Sequence, residues 1–219
     1  MAKSSSAIRA VVRGQVQGVG FRAATVQRAR ELGVFGWARN EDDGTVLVHA
    51  EGTPEAVEAL HDFLREGPSY ATVTAVDLLP AKVEGHEQFA VRGEPAGRFV
   101  VEEHAGDRGA YFVLRLDVSG TWRSWRLAKA PSMVPADKRF ATELAAGDAR
   151  DEPVGIFDTG PYEQGGRVAW PEAIARGHAV FVLHGDQLRG GFALQRTRGD
   201  GPGSGWLLIK RRDEHAATS

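Results

Sequence analysis

Three glycines and two arginines fall within ten residues at RGQVQGVGFR, positions 13 to 22. Small residues let backbone N–H groups converge on an oxyanion, and a guanidinium at the end of the tract grips such an anion through its planar fork. The tract therefore reads as a phosphate site built from backbone N–H groups and Arg22. It is not a dinucleotide fingerprint, which needs a parallel strand after the helix and an acidic residue for a ribose; here the next strand turns back at EDDG. A Walker loop ends in Gly-Lys-Ser/Thr, whereas this one ends in Gly-Phe-Arg. A thiol phosphatase loop needs a cysteine, and the chain contains none. With no nucleophile in the loop, the simplest reaction is direct attack by water, which needs a residue to hold that water in line. Asn40 is the candidate: a carboxamide accepts from water and adds no charge to repel an anion. The other reading of Asn40 is the start of a hairpin.

The elements that must carry these residues are legible in the first third of the chain. Ala7 to Val12 is a β-compatible run, and Phe21 to Leu32, rich in Ala, Arg, Gln and Glu, favours a helix that Gly33 stops. GWARN and TVLVHAEG are extended stretches joined through EDDG, a hairpin signal. Thr53 caps a second helix with Pro54 in its first turn; Ala56, Leu60, Phe63 and Leu64 form one apolar face, and Gly67-Pro68 ends it. Strands around Thr72 to Leu79 and Gln88 to Arg92 complete a βαββαβ order with a short final strand, the ferredoxin-like arrangement. Asn40 reaches the glycine loop only if the sheet order brings GWARN beside the first strand.

After EPAGR, residues 94 to 98, the pattern changes. FVVEEH, YFVLRLDVSG, TWRSWRLA, HAVFVLHG, GGFALQRT and GWLLIK alternate with Gly, Pro and Asp turns, as in an antiparallel barrel or sandwich. The expected class is α+β: a ferredoxin-like domain at 1–93, a linker at 94–98 and a mostly-β barrel at 99–219. Trp122, Trp125 and Trp206 are expected in or near the barrel core, with stacking of a base as the alternative for a Trp beside Arg123 and Arg126.

Composition bounds the chemistry. With 42% hydrophobic and 26% charged residues the chain is globular, and a net charge of -2 gives no general attraction to nucleic acid or membrane. The absence of cysteine removes disulfides, thiolate metal sites and cysteine nucleophiles. MAKSSSAIRA is a polar lead-in without the apolar stretch of a signal peptide, and no transmembrane span follows, so a cytoplasmic location is expected.

GQVQGVGFR followed by GWARNEDDGTV and AEG resembles the acylphosphatases across residues 6 to 93. That resemblance implies a metal-free and cofactor-free hydrolase of carboxylic-phosphoric mixed anhydrides, its substrate a small-molecule acyl phosphate. It further implies that Gln15, Val16, Gln17, Gly18, Val19 and Gly20 cradle the phosphate, that Arg22 binds it and that Asn40 positions the water. The later segments FVVEEH, SWRLAKAPSMVPADKRFA, FDTGPYEQG, LHGDQLRGGFALQRT and WLLIKRRDE resemble the 3′-phosphoesterase domain of bacterial DNA ligase D over residues 98 to 213. That family trims DNA 3′ ends with a divalent metal. Here only His104 and Arg115 remain of its site. Its metal-binding histidine and aspartate fall on Ala110 or Tyr111 and on Phe112 or Val113, and a further histidine falls near Gly147. Ala, Phe and Val offer a hard cation no ligand, so a silent barrel is expected. His178 and His184 are read as structural or surface residues rather than as a rebuilt metal site with His104. The alternative function is a binding module for nucleic acid or protein built on that barrel, with the phosphate loop used for recognition.

Overall fold

The structure, a computed structural model, describes residues 5–107, 109–146 and 152–218. It divides into two compact units, Met1–Glu94 with Arg167–Ala169, and Pro95–Gly166 with Trp170–Ser219. No described helix is long and apolar enough to cross a membrane.

The first unit runs β1 (Ser6–Gln15), α1 (Phe21–Leu32), β2 (Phe35–Asn40), β3 (Val46–Gly52), α2 (Pro54–Glu66), β4 (Thr72–Leu79) and β5 (Phe89–Arg92). The sheet order is β4-β1-β3-β2-β5. β3 pairs antiparallel with both β1 and β2, and β5 adds to the far edge parallel to β2. This is the ferredoxin-like arrangement with one strand appended. GWARN is thus not beside β1; β3 lies between them. Because both flank the same antiparallel neighbour, β1 and β2 run in the same direction and finish at the same end of the sheet.

Strand alternation decides what faces the helices. Ala10 and Val12 on β1, Ala38 on β2, and Val46, Val48 and Ala50 on β3 are at most 2% exposed in one core with Phe21, Leu60 and Leu64 from the helices. Burying each of the larger of these side chains contributes roughly 1.5–3 kcal/mol. α1 is mostly polar and buries Phe21, Thr25 and Ala29, one residue per turn. α2 has the stronger apolar face; Thr53 accepts the N–H of Ala56, Pro54 opens the first turn and Gly67 closes the helix.

The second unit comprises β6 (Gly97–Gly106), β7 (Gly109–Val118), β8 (Thr121–Leu127), β9 (Arg139–Glu143), β10 (Gly155–Gln164), a four-residue α3 (Glu172–Ala175), β11 (His178–His184), β12 (Arg189–Arg198) and β13 (Gly205–Lys210). The eight strands close into a barrel in the order β10-β11-β12-β13-β9-β8-β7-β6, with every neighbouring pair antiparallel. Trp125 and Trp206 meet edge to face at the core, 5.9 Å between centroids, and both are fully buried. Trp122 is only partly buried, 43% exposed, because alternation along β8 turns it outward while Trp125 turns in. Tyr162 spans from β10 over Gly97 to donate its hydroxyl to the Asp117 carbonyl at 2.6 Å; a side chain at Gly97 would lie 2.5 Å from that oxygen. Burial pushes the Tyr162 phenol up to about 12, so it remains a donor.

Candidate active site of the first unit

The loop between β1 and α1 is anchored by its apolar residues and opened by its glycines. Val16 and Phe21 are 1% exposed and Val19 packs on the same core, while Gln15, Gly18 and Gly20 face outward. Gly18 and Gly20 take φ of 73° and 78°, the left-handed region that glycine enters without strain. Gly20 caps α1 with no side-chain hydrogen bond, and the first turn holds no acidic residue. Among the described residues no side chain caps the first N–H groups of that helix, the arrangement in which helix ends hold anions.

Gln17 fastens this loop to the β2–β3 hairpin. Its Nε2 donates to the carbonyl oxygens of Glu41 at 2.9 Å and Thr45 at 2.8 Å. The hairpin is itself fixed by Asp43, which accepts from the N–H and the hydroxyl of Thr45. Those bonds, the hydroxyl first, hold the Asp43 carboxyl below its ordinary range.

Asn40 is the last residue of β2. It lies in one cross-strand row with Val46 of β3 and Val12 of β1. Two residues beyond the core residue Ala38, it shares the sheet face covered by the helices. Its Oδ1 is buried, and among the described residues no donor reaches it. Arg22 stands in the first turn of α1, its side chain 19% exposed, and its Nη2 donates to the carboxylate of Glu94. Glu94 follows β5 by two residues, and the parallel register pairs Arg92 with Arg39. That register carries Glu94 to the strand end where Asn40 sits. The structure thus gathers the 15–20 loop, Arg22 and Asn40 at one end of the sheet. It adds Glu94, the first residue of the linker expected at 94–98.

The opposite sheet face holds a second constellation that the sequence reading missed. His49 and Glu51 on β3 are fully buried, and the turn at 84–86 closes over them. Glu51 Oε1 accepts from His49 Nε2 (2.8 Å) and the Glu84 N–H (2.6 Å), and Oε2 from the N–H groups of Gly85 (2.9 Å) and His86 (3.1 Å). Burial alone would raise the Glu51 carboxyl; the bond from His49 and the three backbone donors outweigh it and keep the carboxylate charged. Among the described residues, His49, Glu51, Glu84 and His86 place ligand-type atoms within 4.8 Å of one another. Each Glu51 oxygen already accepts two donors, so the group is a hydrogen-bonded clamp on the 84–86 turn. The alternation of HAE on one strand face was the available sequence signal; the turn it binds carries none.

In the second unit His104 and Arg115 are brought together through Glu102, whose Oε2 lies 3.1 Å from His104 Nε2 and accepts from Arg115 Nε at 2.8 Å. Arg115 also donates to Ser124 at 3.2 Å. The residue directly opposite His104 is Tyr111, whose ring stacks on the imidazole at 4.9 Å. Ala110, Phe112 and Val113 flank it on the same strand, and Gly147 lies outside the described residues. Among the described residues these do not fit a divalent cation: the Glu102 carboxylate beside His104 is shared with the Arg115 guanidinium, which repels a cation there. His178 and His184 bond instead to Gln195 and Glu163, each at 2.7 Å.

Comparison with known proteins follows this division. Residues 8–91 match the acylphosphatase family model, and residues 102–196 match the model of the DNA ligase D 3′-phosphoesterase domain. An acylphosphatase from Thermococcus kodakarensis is 51% identical over 80 residues, 36% of this chain and 88% of that protein. One from Nocardioides sp. is 46% identical over 87 residues, 40% of this chain and 88% of that protein. The solved structure of an acylphosphatase from Coxiella burnetii is 35% identical, with a TM-score of 0.39, over 42% of this chain and 100% of the other.

Proposed function

The chain belongs to the acylphosphatase family through residues 8–91, and from that membership and the geometry of its loop we propose that the first unit hydrolyses acyl phosphates by direct attack of water. In this reading the N–H groups of the loop Gln15, Val16, Gln17, Gly18, Val19 and Gly20 and the guanidinium of Arg22 bind the phosphoryl oxygens. Asn40 accepts a hydrogen bond from the attacking water and holds it in line with the leaving group. The water oxygen forms the new P–O bond as the bond to the acyl oxygen breaks, the carboxylate departs, and both protons of the water end on the phosphate. A carboxylate leaves readily, so positioning and stabilisation of charge on the phosphoryl group supply most of what is needed.

The observation that carries this reading is that Arg22, the glycine loop and the buried Asn40 Oδ1 lie at one end of the sheet, with the loop tied by Gln17 to the hairpin that follows Asn40. The test is turnover of benzoyl phosphate by the full chain. Arg22→Lys loses the fork and Asn40→Ala loses the acceptor; each is expected to lower kcat/KM on the order of 10²–10³-fold. Unchanged turnover and phosphate inhibition in Arg22→Lys would overturn the assignment. We further propose that the barrel, with His104, Glu102 and Arg115 locked together, is catalytically silent. The full chain with manganese is accordingly expected to leave DNA 3′ ends untrimmed.

A further inference from the structure

Arg22 occupies an electrostatically awkward position. It is a cation in the first turn of a helix, where the aligned peptide dipoles present partial positive charge and favour anions. α1 offers it no relief, since its first turn holds no acidic residue. The relief comes from Glu94, 72 residues later in the chain, whose carboxylate accepts from Arg22 Nη2. Glu94 is delivered by β5, the short strand added parallel to β2 at the sheet edge. It stands two residues past the last residue of that strand, and its side chain is 53% exposed.

We infer that Glu94 is a positioning residue for the reaction, an inference that rests on the acylphosphatase reading of Arg22. A guanidinium carries five N–H donors in one plane. Glu94 engages Nη2 alone and leaves Nε and Nη1 uncommitted to it, so the side chain is held at one corner while donors remain for a phosphoryl group. Without the carboxylate, a long side chain in a repulsive helix-end field samples other rotamers, and the fork meets the phosphoryl oxygens less often in register. The opposite role is also chemically defined: a carboxylate resting on Arg22 as a competitor would have to leave before phosphate bound. The two roles shift kinetics in opposite directions.

The test uses the full chain with benzoyl phosphate as substrate and inorganic phosphate as inhibitor, comparing wild type with Glu94→Gln, Glu94→Asp and Arg22→Ala. Positioning predicts that Glu94→Gln lowers kcat on the order of 10-fold and weakens phosphate inhibition, with an unchanged thermal midpoint, and that Glu94→Asp recovers part of the loss. Unchanged or higher kcat/KM in Glu94→Gln, or tighter phosphate inhibition, overturns the inference. Arg22→Ala separates the two levels: if it abolishes turnover while Glu94→Gln does not matter, only the role of Glu94 fails. If neither variant matters, the assignment of the site itself fails.

Discussion

Two carboxylates in the first unit, Glu51 and Glu94, do different work with the same functional group. Glu94 meets a cation near the surface. Glu51 is enclosed and meets only donors, and its neighbour His86 is the group that makes the clamp sensitive to pH. Burial lowers the His86 imidazole below its ordinary value, and Arg92 adds to this; Glu51 and Glu84 oppose it, while His49 lies edge-on at 5.5 Å. In the unfolded chain His86 takes up a proton near pH 6.5; in the folded chain it does so only at lower pH. The unfolded state therefore binds more protons in that window, and stability falls as pH drops below about 6.5. Glu51 adds a second loss, which sets in as pH falls through the ordinary carboxylate range, where the unfolded chain takes up the proton first. Urea midpoints between pH 7.5 and 5 are expected to decline less steeply in His86→Gln than in wild type; parallel slopes would reject this account. Residue type and motif single out Arg22 and Asn40 as candidates. Glu94 was not, since a lone acid in EPAGR has no periodicity and gains meaning only when β5 docks beside β2.

Local chemistry fixed the helices well. α1 and α2 appear over Phe21–Leu32 and Pro54–Glu66 with the stops at Gly33 and Gly67, because caps and breakers act within a few residues. β9 and β10 were harder to see. β10 reads GIFDTGPYEQ, and its Gly160-Pro161 pair looks like a turn. In the barrel Gly160 is required for packing, since a side chain there would lie 2.4 Å from the His184 carbonyl oxygen. A non-local contact thus overrides a local signal. Gly14 is the counterpart in the first unit. It sits at the irregularity where β1 shifts register against β4, with φ 126°, and a Cβ would approach the Thr72 oxygen to 2.0 Å. Gly14→Ala should cost more than about 2 kcal/mol of stability. Denaturant unfolding measures it, and a cost below about 0.5 kcal/mol would mean the β1–β4 irregularity relaxes freely.

Each unit solves the problem of strand edges differently. The first leaves β4 and β5 at the margins of an open sheet; the second joins β10 to β6 and has no margin at all. Which strand neighbours which was beyond the reach of periodicity, because alternation reports a face and not a partner. This is also why GWARN could be recognised as a strand while its separation from β1 by β3 could not. A closed ring of ladders has consequences for how it comes apart. An open sheet can shed its outermost strand first, so amide protons of residues 72–79 should exchange with deuterium well before those of residues 46–52. Around a cylinder every strand is an inner one, and freeing any of them breaks two ladders together. Deuterium uptake measured by mass spectrometry should therefore rise in near synchrony over residues 97–106, 109–118, 189–198 and 205–210, as if the ring were a single unit of opening.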